Sequence, residues 1–393
     1  LSRVLAGPWC TQIFADLGAE VIKVERPELG DDTRHWGPPW LSDQEGADTK
    51  ESSYYLSANR GKHSVTIDIG KPAGRDLVLE LVARCDILVE NFKTGDLAKK
   101  GLGYDDLRVD NPGLIYCSIT GFGQTGPMSE DPGYDYLIQA QSGLMSITGV
   151  PDGLPGAGPQ RVGLATADLT TGMNSAIATL AALHHRNGSG EGQHMALLDV
   201  QVSWTGNQAQ SYFCSGKVPT RTGEYHASLV PYQPFPTSDG KLIIAAGNDG
   251  QYGRLCEALG RAELATDPKF ATNPMRNANR EELVEQLKAS TRTYSSHELQ
   301  ALLRGIKVPC GPIQTIDEVF SDPQVLARDM VVDVPHPVYG SVKTVANPIK
   351  YSSTKVEYHK APPSLGEDTS YVLQDVLGLS DERVTQLREQ GVV

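Results

Sequence analysis

Short strand-like and helix-like segments alternate along the first half of the chain, and this alternation restricts the fold more than any other feature. Runs rich in Val and Ile resemble buried strands, and the segments between them have helical periodicity. The predicted strands cover 20–26, 64–69, 86–92 and 114–120, and the predicted helices cover 6–19, 73–85 and 138–145. Strands that alternate with helices form a mostly parallel sheet covered on both faces. The sequence therefore predicts an α/β fold.

The pattern changes near residue 220, which predicts a second and smaller domain. A strand at 241–247 is followed by helical segments up to residue 305, and Pro-punctuated strands after residue 329 indicate a return to the larger body. A length of 393 residues suggests two domains or one large α/β domain with an insertion. We predict a large domain of residues 1–215 and 325–393, and a small α/β domain of residues 216–324.

One carboxylate, Asp168, stands at the start of a long helix with apolar periodicity. One face of that helix is marked by residues at steps of three and four, namely Leu169, Met173, Ile177, Leu180 and His184. Unpaired backbone N–H groups and the helix dipole are expected to keep this carboxylate ionised. An ionised Asp can cap its helix or act as a nucleophile, and its position alone favours capping.

The charge balance argues against general nucleic-acid binding, because 35 Lys and Arg residues stand against 48 Asp and Glu, a net charge of −13. An anionic ligand would therefore need a local cationic pocket. Eight basic residues cluster at the predicted ends of consecutive strands, namely Arg3, Arg26, Arg34, Arg60, Lys62, Lys93, Lys99 and Lys100. Ligands of open α/β sheets bind at those ends, so this group predicts a phosphate site.

Other motifs carry weaker signals. Gly121, Gly123 and Gly126 satisfy GxGxxG after a predicted strand, but Pro127 and a polar run follow where a dinucleotide site needs a helix. The motif therefore predicts a tight turn or a loop at a ligand cleft. The pair at 184–185 favours a helix C-terminus over a metal site, because adjacent helical residues do not face one ion.

Cysteine usage and hydropathy predict where the protein resides. Six cysteines occur without CxxC pairs, which is typical of reduced thiols in an intracellular protein, and Cys10 is predicted to be a buried structural thiol. No run approaches eighteen apolar residues, so no membrane span is predicted. A cytoplasmic enzyme is the expectation, with the mitochondrial matrix as the alternative in a eukaryote.

Taken in order, several segments resemble the class III CoA-transferase family, also called the formyl-CoA transferase or CaiB/BaiF family. The similar segments are 1–34, 58–69, 87–107, 111–127, 133–145, 165–193 and 308–325. The central segment reads ATADLTTGMNSAIATLAALHHRNGSGEGQ. The resemblance implies a large Rossmann-like domain and a small domain, with two subunits threaded through each other as an interlocked homodimer.

The resemblance also implies the chemistry. The aspartate that matches Asp168 is the nucleophile of that family, and it forms first an acyl anhydride and then an aspartyl-CoA thioester. The substrates implied are an acyl-CoA and a small carboxylic acid. Coenzyme A is thus a substrate, and neither a permanently bound cofactor nor a metal is implied.

A CoA site follows from the same resemblance, position by position. Residues that match the family's nucleotide pocket are Arg3, Val4, Leu5, Arg26, Ile67, Asn91, Phe92 and Lys99. Tyr134 and Asp135 match the pantetheine side, and Lys93 joins the set from the basic cluster.

Two departures from the family pattern bear on the acid that is used. Formyl-specific members carry Gln where this chain has Leu5, and a glycine run that is absent from 223–236, GEYHASLVPYQPFP. The segments 228–235 and 245–252 resemble the branch that uses dicarboxylates such as succinate and glutarate. The acyl pocket is then predicted to include Tyr225, His226, Ser228 and Tyr232.

Two other functions remain open at this point. An α-methylacyl-CoA racemase belongs to the same superfamily, but it needs a His base where this chain has Tyr134. A CoA-binding protein without catalysis is the other alternative, and in that protein Asp168 would only cap its helix.

Overall fold

The computed structural model describes residues 1–186 and 192–393, and it follows the predicted alternation of strands and helices. The strands are β1 Val21–Glu25, β2 Trp40–Ser42, β3 Asp48–Ser52, β4 Lys62–Thr66, β5 Ile87–Glu90, β6 Ile115–Thr120, β7 Gly149–Val150, β8 Gly158–Pro159, β9 Gly192–Ala196, β10 Tyr232–Pro236, β11 Lys241–Ala245, β12 Cys310–Pro312, β13 Val331–His336 and β14 Gly340–Val345.

The α-helices of the described residues are α1 Ala6–Asp16, α2 Ser53–Ser57, α3 Pro72–Val82, α4 Tyr104–Leu107, α5 Asp135–Gln141, α6 Leu144–Ile147, α7 Thr166–His185, α8 Leu197–Ser203, α9 Gly206–Ser215, α10 Asp249–Ala258, α11 Ala262–Thr266, α12 Asn273–Ala278, α13 Arg280–Thr291, α14 Ser296–Gly305, α15 Ile316–Ser321, α16 Pro323–Ala327 and α17 Asp381–Glu389. None of these described helices combines the length and the apolar run that a bilayer crossing needs.

Two units divide the chain: the first has residues 1–145, 161–217 and 324–393, and the second has 146–160 and 218–323. The segment 146–160, which is predicted to lie in the large domain, belongs to the second unit. Its strands β7 and β8 pair with each other. Arg221, also of the second unit, donates from Nε to the carbonyl oxygen of Val150 at 3.0 Å, which holds the segment there.

Parallel sheets organise the first unit. Strand β1 pairs with β4, and β6 lies between β5 and β9, all in parallel register. Every residue of β6 is buried, as expected for a strand covered on both faces. The hairpins β2–β3 and β13–β14 are antiparallel, because their short connections allow no crossover. The predicted α/β fold with parallel sheets is confirmed.

Helix α7 buries small side chains and leaves its large apolar ones outside. The buried residues are Ala167, Thr170, Thr171, Gly172, Ser175, Ala176, Thr179 and Ala182. Met173, Ile177 and Leu180, from the apolar face seen in the sequence, are 37%, 65% and 40% exposed. Small residues allow α7 to lie close to α1. The apolar periodicity therefore predicts the helix correctly, but the face of α7 that is buried is the one with the small residues.

The second unit has a core of its own. Strands β10, β11 and β12 form an antiparallel sheet in that order. Buried side chains of that sheet and of the helices α10, α11, α13 and α14 form one apolar cluster, which includes Phe235, Leu242, Leu255, Leu283 and Leu299.

Candidate active site

Asp168 is the third residue of α7 and lines an open cavity of about 400 Å³. The cavity lies where the N-terminus of α1 meets the residues that follow β5 and β6. Parallel α/β sheets place their ligands at this edge. Of the residues predicted to bind CoA, the cavity is lined by Arg3, Val4, Leu5, Asn91, Phe92, Lys93 and Tyr134.

The start of α7 is capped by a residue from another helix. Oδ1 of Asp135, on α5, accepts hydrogen bonds from the backbone N–H groups of Ala167 and Asp168, at 2.7 and 3.4 Å. The resemblance places Asp135 beside pantetheine, but its carboxylate is bound to backbone N–H groups at the start of α7. No described group donates a hydrogen bond to the Asp168 side chain, so Asp168 does not cap its own helix.

The environment of Asp168 favours its neutral form. Burial, and after it the negative charge of Asp135, raises the pKa of Asp168 from an ordinary value of 3.8 to about 7. The expectation that the helix start keeps Asp168 ionised is therefore wrong. The N–H groups that would have stabilised its charge are bound to Asp135 instead.

A second cavity, of about 310 Å³, shares Arg3 and Phe92 with the first and is also lined by Arg26 and Ile67. Arg3 and Arg26 each donate to one oxygen of Asp32, at 2.5 and 2.8 Å. Their side chains are about half exposed, so other N–H groups of both guanidinium ions face solvent. Such groups suit the oxygen atoms of phosphates.

The backbone between the two cavities is held by side chains. Oδ1 of Asn91 accepts from the N–H of Arg3 at 2.9 Å, and its Nδ2 donates to the Arg3 carbonyl at 2.7 Å. Val4 has a φ of 67°, which is rare for a β-branched residue, and its N–H donates to Asp31 at 3.1 Å. Asn91 therefore fixes the path of the chain at Arg3.

Three members of the basic cluster are structural and do not belong to a phosphate site. Arg34 donates to both oxygens of Glu25, and Arg60 to both oxygens of Asp16. Lys62 is buried and donates to three oxygen atoms of the chain. The position of these residues at strand ends can be read from the sequence, but the orientation of each basic side chain is determined by the buried carboxylate or carbonyl oxygens that it contacts.

Lys99 and Lys100 lie outside both cavities. The Lys99 side chain is 75% exposed and pairs with Asp96 at 3.0 Å. Its role in CoA binding therefore stays a prediction that neither cavity supports.

The glycine motif lies in a loop at the cavity. Gly121 lines it and lies so close to Gly133 that a Cβ atom would be 2.5 Å from the Gly133 Cα atom. Gly123 and Gly126 have φ angles of 91° and 93°, which glycine adopts readily. The next helix, α5, begins at Asp135, so the dinucleotide geometry is absent from this described stretch.

The model of CoA-transferase family III matches residues 1–369. The chain belongs to CoA-transferase family III. It is 48% identical over 378 residues to the succinate–glutarate CoA-transferase of Agrobacterium fabrum, covering 96% of this chain and 93% of that protein. It is 43% identical over 395 residues to the succinyl-CoA:glutarate CoA-transferase of Mus musculus, covering 100% of this chain and 88% of that protein. A crystal structure of a CaiB/BaiF family protein from Brucella suis matches with a TM-score of 0.83 and 47% identity, over 96% of this chain and 97% of that one.

The family III enzyme carries the four predicted acyl-pocket residues in its second unit. Nδ1 of His226 accepts from the backbone N–H of Ser228 at 3.0 Å, and its ring lies 5.2 Å from that of Tyr232. The Arg280 guanidinium lies 4.4 Å from the centre of the Tyr225 ring.

Sequence reasoning missed several residues that shape the candidate site. Asp32 holds two arginines, and Asp31 pairs with the buried Lys23 at 2.8 Å. Two adjacent acids after a predicted strand were a usable signal. Gln139, also on α5, donates a hydrogen bond to Asp135. A single amide side chain inside a helix gives no sequence signal of such a role.

Proposed function

We propose that this enzyme transfers CoA from succinyl-CoA to a second dicarboxylic acid of the glutarate type, with Asp168 as the nucleophile. The observation that carries the proposal is the carboxylate of Asp168 in the cavity, to which no described group donates a hydrogen bond. The names of the Agrobacterium and mouse relatives supply the acids.

The proposed reaction exchanges carboxyl derivatives of similar energy. An ionised Oδ of Asp168 attacks the thioester carbon, the C–S bond breaks, and CoA leaves as its thiolate while a mixed anhydride forms. The thiolate then attacks Cγ of Asp168, and the donor acid leaves as a carboxylate. The acceptor carboxylate attacks the resulting aspartyl-CoA thioester, and the same steps run in reverse. Asp168 must lose its proton before the first step, since only the anion is nucleophilic.

Two sequence features support a dicarboxylate over formate or oxalate and transfer over racemisation. Leu5 lines the cavity and cannot supply the side-chain amide of formyl-specific members. Tyr134 lines the same cavity where the racemases carry their His base, so proton abstraction lacks a partner. Transfer to a dicarboxylate is therefore favoured.

We also propose a homodimer, interlocked as in the family. Large apolar side chains of the first unit are exposed on α7 and α9 and directly after α8, and include Ile177, Leu180, Trp204, Tyr212 and Phe213. Contiguous apolar patches on soluble proteins usually mark interfaces, and α9 has no buried residue of its own. A threaded dimer should not dissociate on dilution, and folded monomers in analytical ultracentrifugation at nanomolar concentration would contradict it.

Mass spectrometry tests the proposed chemistry directly. Enzyme mixed with succinyl-CoA should carry a CoA adduct on Asp168 that hydroxylamine removes, and glutaryl-CoA should form when glutarate is added. Asp168→Ala should bind CoA but form neither adduct nor product. Asp131→Asn, which changes an exposed carboxylate of the same cavity, should retain both. Normal turnover by Asp168→Ala would overturn the proposal.

A further inference from the structure

We propose that Asp135 is a positioning residue of the transfer reaction, which holds the start of α7 and keeps a negative charge beside Asp168. The inference rests on the proposed role of Asp168 as the nucleophile. It gives Asp135 a part in the covalent step, separate from any contact with CoA.

The Asp135 carboxylate is fixed on both of its oxygens. Oδ1 accepts from the two backbone N–H groups at the start of α7, and Oδ2 accepts from Nε2 of Gln139 at 2.7 Å. Gln139 is fully buried, and it also donates to the carbonyl of Leu164 and accepts from the N–H of Val162, both at 3.0 Å. The loop that enters α7 and the first turn of α7 are thus tied to α5 through one buried amide and one carboxylate.

Asp135 is the charged residue that most affects the pKa of Asp168. No described Lys or Arg lies within ion-pair distance of Asp168. Both carboxylates also act on Tyr54 of α2. Burial, and after it the charges of Asp168 and Asp135, raises the pKa of Tyr54 to about 12. The other charged or titratable residues that line the cavity are Arg3, Asp32, Lys93, Asp131 and Tyr134.

A fixed negative charge beside the nucleophile favours its acylation. Asp168 and Asp135 repel each other when both are ionised, and this repulsion raises the free energy of the reactant state. Acylation turns the Asp168 carboxylate into a neutral anhydride or thioester, so the repulsion disappears as the covalent bond forms. A carboxylate of higher basicity is also the stronger nucleophile. The cost is that part of the enzyme is protonated at neutral pH.

Two variants separate the charge from the hydrogen bonds. Asp135→Asn retains an acceptor for the backbone N–H groups but removes the charge, and it loses the bond from Gln139, because two NH₂ groups then face each other. Gln139→Ala loses that same bond, together with the bonds to Leu164 and Val162, and retains the charge. The readouts are the pH midpoint of kcat/KM, the titration of Asp168 followed by carboxyl ¹³C NMR, and the fraction of enzyme held as the CoA thioester.

We expect Asp135→Asn to lower the midpoint of the Asp168 titration and of the rate profile, and to reduce the thioester fraction several-fold. Gln139→Ala should leave the midpoint in place or move it slightly. An unchanged Asp168 titration in Asp135→Asn would overturn the inference even if transfer through Asp168 is demonstrated. Absence of the adduct in the unmodified enzyme would instead refute the proposed function, and the NMR titration would still decide whether the two carboxylates are coupled.

Discussion

Gly172 on α7 lies so close to α1 that a Cβ atom there would be 2.7 Å from the carbonyl oxygen of Ala6 and 3.0 Å from Cβ of Trp9. Backbone contact of this kind excludes any side chain. It also brings the first turns of both helices to the cavity, which Ala6 and Asp168 line together. The separation of α1 and α7 therefore controls the position of the carboxylate.

Gly172→Ala should force the two helices apart. Overpacking at such a contact typically destabilises a protein by about 1–3 kcal/mol. We expect a lower midpoint in urea denaturation and a fall in kcat, because Asp168 moves relative to α1. Gly253→Ala in α10 is the matched control, since its Cβ atom meets nothing within 4 Å and alanine is the better helix former. Equal stability of the two variants would contradict close packing at Gly172.

Asp168→Asn should stabilise the protein in a pH-dependent way. The pKa of Asp168 is about 7 in the folded protein against 3.8 for an ordinary Asp, so the folded state holds this proton more tightly. The stability contributed by Asp168 is therefore complete below pH 4 and is lost as the pH rises through 7. The asparagine variant has no such loss. Its advantage in free energy of unfolding should be on the order of 2–4 kcal/mol at pH 8 and should vanish near pH 4.

Denaturant titrations of both proteins between pH 4 and pH 8 measure this difference. Asp131→Asn, which removes a negative charge from an exposed site in the same cavity, controls for the change in net charge. An Asp168→Asn protein that is no more stable than the parent at pH 8 would contradict the raised pKa.

Arg26→Ala should weaken CoA binding and leave folding almost unchanged. The side chain is half exposed, lines the smaller cavity and has an ion pair with Asp32 that exposed geometry makes weak. We expect a roughly tenfold rise in the Kd for CoA at low salt, which shrinks as salt screens the phosphate contact. Arg75→Ala, an exposed arginine outside both cavities, is the control in isothermal titration calorimetry. Equal affinities of the two variants would remove Arg26 from the site.

Local patterns in the sequence predicted the strands β1, β4, β5, β6 and β11, the helix α7 and the position of Asp168, because periodicity and turn residues act within a few residues. Such local patterns cannot predict contacts between segments that are distant in the sequence. Asp135 is 33 residues from Asp168, and the pair at Asp31 and Asp32 gains its meaning from arginines folded against it. The apolar face of α7 was visible in the sequence, but the small-residue face that meets α1 was not, since small side chains give little periodic signal.

Arg60 is a residue whose role was predicted wrongly from the sequence. The sequence suggests a phosphate ligand, but in the structure Arg60 is a buried cation paired with Asp16. Its guanidinium donates to Asp16 at 2.8 and 2.6 Å, and both side chains are buried. Arg60→Leu leaves the Asp16 carboxylate buried without its cation, which typically costs about 3–5 kcal/mol. We expect a large fall in the urea midpoint, while the folded fraction binds CoA with unchanged affinity. The double variant Arg60→Leu, Asp16→Leu should regain much of the stability, and a loss of CoA affinity in folded Arg60→Leu would place Arg60 back in the phosphate site.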